Sequence, residues 1–293
     1  MTRGTETMIE ILPKDSVIGA EVRGVSLAEV PDDATRQAVE QALERHGVLI
    51  FRNQAIEPAQ QIAWSKAFAH LELTARIDAR LEGHPEIFVV GNTGEQVVSF
   101  APADGSGELE WHADHMHLEK PARASMLYCV ETPPVGGETL IACMYRAFDA
   151  LSHAQQAEAE GLTALHSVSG LQTFLRTKGV NGAADGAYDS PEELVVKWPL
   201  VRRHPLTGRK ALYFGSKVTI GIEGWGDARA KAYLQELEAV ATQEAFRYSH
   251  AWVPGDAVLW DNRRVLHAGT PFDAASYRRR MYRTTFREDQ PIV

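Results

Sequence analysis

Ala257-Val258-Leu259-Trp260-Asp261-Asn262-Arg263-Arg264-Val265-Leu266-His267 is the stretch on which the fold turns. Four apolar residues, a polar pair with turn chemistry and a second apolar run describe two short strands joined by a tight connection. The same grammar recurs upstream. Val48-Leu49-Ile50-Phe51 and Ile87-Phe88-Val89-Val90 read as strands buried on both faces, and Ala124 to Val130 and Thr139-Leu140-Ile141-Ala142 as two more, parted by the turn Pro133-Pro134-Val135-Gly136-Gly137. Residues 8–25 read as short strands around Gly19 and Gly24, and a last strand covers Arg280 to Phe286. Trp198-Pro199-Leu200-Val201 and Ala211-Leu212-Tyr213-Phe214 are expected to form a hairpin across His204-Pro205-Leu206-Thr207-Gly208. Helices are expected from Asp32 or Asp33 to His46-Gly47, from Pro58 to about Phe68, over Tyr145 to Leu151 and Ala154 to Glu160, and from Asp227 to Gln243. Many short strands and few helices predict a mainly β fold with helical cover, a sandwich or barrel.

The 293 residues are expected to form a single domain, with a lid-type loop at 92–110 and a flexible insertion at 179–193, both rich in small and polar residues. A net charge of −9 disfavours a nucleic-acid binder, which needs a basic footprint. An anionic small molecule remains compatible, because a few arginines make a local positive pocket. No apolar run reaches the roughly 18 residues of a membrane span. The first ten residues hold Arg3, Glu6 and Glu10 without an apolar segment, which leaves the cytoplasm as the default. Cys129 and Cys143 lack the number for a disulfide framework and the spacing for zinc, so free thiols are expected.

One short motif carries chemistry. In Trp111-His112-Ala113-Asp114 the imidazole and carboxylate stand two residues apart, which on a strand puts them on one face. Alone, the pair better describes a surface strand with two polar residues. With His267 arriving later, two histidines and a carboxylate make a three-ligand half-shell with open positions opposite, an arrangement that suits non-haem Fe(II). A structural metal site would tend to close its shell with a fourth protein ligand. His115 and His117 follow at once. His115 falls opposite Asp114 in a strand's alternation, so it reads as a substrate-facing or loop histidine, not a fourth ligand.

Four ordered segments then resemble one family: Trp111 to Asp114, Pro133 to Thr139, Trp260 to His267, and Arg278-Arg279-Arg280-Met281-Tyr282-Arg283-Thr284-Thr285. Together they are similar to the taurine dioxygenase and phenoxyacetate-herbicide dioxygenase family of Fe(II)/2-oxoglutarate enzymes. The likeness extends over nearly the whole chain and leans toward the herbicide branch. It implies a double-stranded β-helix, or jelly-roll. It implies Fe(II) on His112, Asp114 and His267, and 2-oxoglutarate and O2 as co-substrates. Thr139 and Arg279 are implied to hold the distal carboxylate of 2-oxoglutarate. Arg283 is implied to meet a substrate anion, and His70 occupies a segment where the taurine enzyme places a substrate-binding histidine. An extra residue before the arginine cluster leaves Arg278, Arg279 and Arg280 as competitors, with the Met281-Tyr282-Arg283 register favouring Arg279.

Physical logic supports the arginines: a dianion needs a fixed, always-charged, two-pronged partner, which lysine does not reproduce. Trp260 and Phe286 are candidate apolar walls. The implied activity is hydroxylation of a small organic anion, leading to C–O, C–N or C–S cleavage, with aryloxyalkanoates first and taurine-like sulfonates or alkyl sulfates second. The reading of another class is a non-catalytic jelly-roll binder of a metal or ligand. A small-molecule partner and a homo-oligomer are expected, with neither nucleic acid nor membrane.

Overall fold

The computed structural model describes residues 8–73, 77–92, 110–177 and 194–289. Its centre is a large sheet whose strands run in the order Glu10–Pro13, Ala20–Arg23, Val48–Phe51, Ala257–Asp261, Ala122–Glu131, Arg280–Arg287, His84–Gly91 and Arg80–Leu81, with Leu71–Glu72 also on Arg280–Arg287. Pairing is antiparallel except between Ala20–Arg23 and Val48–Phe51. A smaller sheet of Arg247–His250, Thr139–Cys143 and Val265–Gly269 lies over one of its faces.

Strand alternation explains why the central runs are apolar throughout. Val48 and Ile50, Val258 and Trp260, Leu127 and Cys129, and Met281 join the small sheet's Leu140, Ile141, Ala142, Val265 and Leu266 in one core. Their neighbours Leu49 and Phe51, Ala257 and Leu259, Met126 and Tyr128, and Tyr282 and Phe286 face a second core. That second core is closed by Val39, Ala42 and Leu43 of the helix Asp33–His46 and by Ile62 and Trp64 of the helix Pro58–Lys66. Alternate side chains of the central strands are therefore buried by different layers, one set by the small sheet and the other by the helices. The result is a jelly-roll with helical cover, as expected.

Asp32 caps the first helix by accepting from the Thr35 N–H, and Gly47 ends it in the left-handed conformation. The helix begun by Pro58 stops at Lys66, two residues short of Phe68. The expected hairpin is only partly present. Val201–Arg203 pairs with Lys210–Leu212, but Val196–Pro199 pairs with Thr163–His166, which also holds Thr219–Ile222. Leu200, fully buried between the two pairings, splits the run. The helix Val168–Thr177 was not foreseen. Residues 93–109, nearly all of the expected lid, and the insertion at 179–193 lie outside the described residues. Among the described residues no helix is long and apolar enough to cross a membrane. Both cysteines are buried and free.

Candidate metal and anion site

The site lies between the two sheets. His267 sits in Val265–Gly269, and His112 joins it through a two-way backbone bridge: the His112 N–H donates to the His267 carbonyl at 3.1 Å and the His267 N–H to the His112 carbonyl at 2.8 Å. Directly bridged residues project to one face, and Asp114, two residues on, comes to the same place. The metal-binding atoms of His112, Asp114 and His267 lie within 4.8 Å of one another. The His112 Nε2 is 3.9 Å from one Asp114 oxygen and the His267 Nε2 3.8 Å from the other. The His112 Nδ1 lies 3.0 Å from the Glu110 carbonyl, which turns Nε2 toward the carboxylate.

Two of the donors, His267 and Asp114, have the right charge for a divalent cation. Burial, then His112, pushes the His267 imidazole down to about 3, so it is neutral. Burial alone would raise the Asp114 carboxyl; the charge of Arg283 beside it outweighs burial and holds it well below its usual range. Neutral imidazoles and an ionised carboxylate are the ligand forms. Behind them stands a polar chain that the sequence did not reveal. The Ser125 hydroxyl donates to Asp114 at 2.6 Å, the Asn262 amide nitrogen donates to the Ser125 oxygen, and the Asn262 amide oxygen accepts from the Asp114 N–H and the Trp260 indole. The available signal was parity: Ser125 shares the inward face of Leu127 and Cys129. Trp260 packs 4.7 Å from the His267 ring, centroid to centroid.

Among the three arginines, Arg279 is buried, Arg278 is exposed, and Arg280 leans over the Tyr282 ring. The Arg279 Nε–H donates to the Gly137 carbonyl at 3.1 Å, and no described carboxylate forms an ion pair with it. Burial pulls its pKa down to about 10. A buried cation with an open charge is a socket for a carboxylate. Gly137, at φ +73°, belongs to the turn that makes the socket: a Cβ there would stand 3.0 Å from Pro133 and 3.3 Å from Arg279. Thr139 opens the neighbouring strand, in the register where Ile141 faces His267. It accepts from the Trp252 indole at 3.0 Å, so its own proton is available to an anion. The donor set thus fits both a divalent metal and a chelating dianion.

Arg283 comes from the large sheet on the same face as Met281, and its guanidinium pairs with Asp114 and lies over the Phe88 ring. The chain turns at residues 114–117, so strand alternation does not govern His115; it has φ +55°, and its buried Nδ1 has no hydrogen-bond partner among the described residues. Two expectations are corrected. His70 is not brought to the triad: its side chain is 79% exposed, 3.9 Å from Asp289, beyond the far end of Arg280–Arg287. Phe286 is no wall of the site, because even spacing from Tyr282 sends it to the helix side, against Phe68. His204 is structural: it is fully buried, 2.9 Å from Asp261, which Arg263 also clamps.

Residues 9–285 match the family model described as taurine catabolism dioxygenase TauD, TfdA family. The chain is 35% identical to an (S)-phenoxypropionate/alpha-ketoglutarate-dioxygenase of Sphingobium herbicidovorans, covering 92% of each chain. It is 33% identical to an alpha-ketoglutarate-dependent 2,4-dichlorophenoxyacetate dioxygenase of Cupriavidus pinatubonensis, covering 96% of this chain and 98% of the other. The crystal structure of AAD-2 with Mn(II) and N-oxalylglycine superposes with a TM-score of 0.80 at 28% identity, covering 98% of this chain and all of that one.

Proposed function

This chain belongs to the TauD, TfdA family and is an Fe(II)- and 2-oxoglutarate-dependent dioxygenase that uses O2; from that premise we propose that it hydroxylates a small organic anion of the aryloxyalkanoate type. His112, Asp114 and His267 would hold the iron, and Arg279 and Thr139 the distal carboxylate of 2-oxoglutarate. When bound, the metal and co-substrate supply O2 activation and the delivery of one oxygen atom to a substrate C–H bond. The protein's own task is positioning and dryness. Ser125 and Asn262 orient the Asp114 carboxylate, and the Trp260 ring shields His267 from water.

The observation that carries the substrate class is the reach of Arg283. Its guanidinium extends to the carboxylate of the triad itself, so an anion bound there lies beside the metal. A carbon next to that anion which also bears oxygen, nitrogen or sulfur would, once hydroxylated, lose the heteroatom group. The relatives named for phenoxypropionate and 2,4-dichlorophenoxyacetate support an aryl ether. The buried free thiols support a reducing, cytoplasmic setting.

The test is a panel of aryloxyalkanoates, sulfonates, alkyl sulfates and N-substituted amino acids read by 2-oxoglutarate-dependent succinate release. An aryloxyalkanoate is expected to lead, and Arg283→Gln to weaken its binding while 2-oxoglutarate affinity holds. A best substrate without an anionic group, or an unchanged substrate affinity in Arg283→Gln, overturns the anion clamp. In that case Arg283 serves Asp114 alone.

A further inference from the structure

Arg279 is held by its backbone as tightly as by its side chain, and one residue does most of the holding. The Asn92 N–H donates to the Arg279 carbonyl at 3.0 Å, and the Arg279 N–H donates to the Asn92 Oδ1 at 2.7 Å. The same amide spends its two protons on the approach to Arg279: Nδ2 donates to the Ala274 carbonyl at 3.0 Å and to the Tyr277 carbonyl at 2.9 Å. Asn92 therefore ties together three points of the segment 274–279, and every polar atom of its amide group has a partner in that segment. The residue before it makes the approach possible. Gly91 has φ +149°, and a Cβ on it would fall 1.8 Å from the Arg279 carbonyl oxygen, so no side chain fits there.

We propose that Asn92 is the positioning residue for the co-substrate anchor, fixing where the Arg279 guanidinium meets the distal carboxylate of 2-oxoglutarate; this rests on the assignment of Arg279 above. The physical reason is the length of the arginine side chain. Among the described residues its head makes one hydrogen bond, from Nε to the Gly137 carbonyl. The remaining alignment of the fork is inherited from the backbone. A carboxylate bound by two prongs discriminates strongly against displacement of that fork. The strand Arg280–Arg287 begins at the next residue; it pairs regularly with His84–Gly91 up to Arg280 opposite Gly91 and irregularly with Ala122–Glu131 between Arg280 and Met281, so Arg279 lies just past both ladders and neither neighbouring strand fixes it. Asn92 does.

The experiment measures equilibrium binding of 2-oxoglutarate and of 2-oxobutyrate, which lacks the distal carboxylate, to Mn(II)-loaded protein by calorimetry. Asn92→Ala is expected to weaken 2-oxoglutarate binding about tenfold, the loss of about one charge-supporting contact, and to leave 2-oxobutyrate within twofold. In turnover, the KM for 2-oxoglutarate rises while kcat at saturation holds. In an Arg279→Met background, Asn92→Ala is expected to add nothing, because a residue acting through Arg279 has nothing left to position. Asn92→Asp, which keeps the acceptor for the Arg279 amide and loses both donors, shifts binding the same way by less, and serves if the alanine variant does not fold. Equal weakening of both oxo acids, additive losses in the double variant, or unchanged 2-oxoglutarate affinity overturns the proposal. If Arg279→Met itself binds 2-oxoglutarate normally, the anchor assignment falls instead, a separate and recognisable failure.

Discussion

Replacing Arg279 by methionine perturbs stability and binding in opposite directions. Burial depresses the Arg279 guanidinium from 12.5 to about 10, which corresponds to on the order of 3 kcal/mol of desolvation held in the ligand-free fold. The sign follows from protonation. Below about pH 10 the arginine is charged in both folded and unfolded chains, so the penalty is fully present at neutral pH. It is relieved only as the pH rises through about 10 toward the unfolded value. Methionine removes the charge and keeps much of the apolar stem. It also leaves the Gly137 carbonyl without its donor, at about 1 kcal/mol. The balance is a ligand-free protein more stable by about 2 kcal/mol, a rise in Tm of a few degrees. Binding moves the other way. A carboxylate deprived of its charged partner loses about 2–5 kcal/mol, roughly thirtyfold to several thousandfold in affinity. Scanning calorimetry without ligand and titration with 2-oxoglutarate read the two effects separately. A methionine variant that melts lower than the parent refutes the uncompensated socket, and one that binds 2-oxoglutarate with parental affinity refutes its occupant.

Thr139→Ala should weaken 2-oxoglutarate by about tenfold, less than Arg279→Met, because it removes one hydrogen bond and no charge; the same titration ranks the two. Ser125→Ala should lower metal affinity about 10–100-fold without unfolding the chain, since it frees one Asp114 oxygen from its donor, and metal titration with a competing chelator measures this. His166 is fully buried and held down to about 3, mainly by burial. Below pH 6.5 the unfolded chain takes up a proton there that the folded chain refuses, so stability falls as the pH drops from 6.5 toward 3, by up to about 1.4 kcal/mol per pH unit from this group. His166→Asn should flatten the pH dependence of urea unfolding by about one proton across that window, and an unchanged slope sinks the assignment.

Most of the chemistry was local enough to be legible in one dimension. His112, Asp114 and His267 stood out because two histidines and a carboxylate in strand-like runs have little packing use, and the central strands because runs such as Val48 to Phe51 are apolar on both parities. Helix ends were equally local: Asp32 caps its own helix and Gly47 ends it, and both effects act within one turn. Where contacts span the chain, sequence position carried no information. Ser125 lies 11 residues from Asp114, and Asn92 lies 187 from Arg279. Parity puts Ser125 on the inward face, but nothing in either residue's neighbours names its partner, because these two hydrogen bonds join segments that only the packed sheets bring together. Among Arg278, Arg279 and Arg280 the Met281-Tyr282-Arg283 register favoured Arg279, but burial is tertiary: three identical side chains differ in what surrounds them, and of the three Arg279 alone is buried, against Gly137. Phe286 and His70 show the same limit. Each has the chemistry of a site residue, and the parity of Arg280–Arg287 and the solvent-exposed end of that strand send them elsewhere. The sequence by itself determined which chemical groups were present and which runs would be strands. Only the packing of one sheet over the other decided which groups share a dry space, since burial and proximity are properties of the assembled layers.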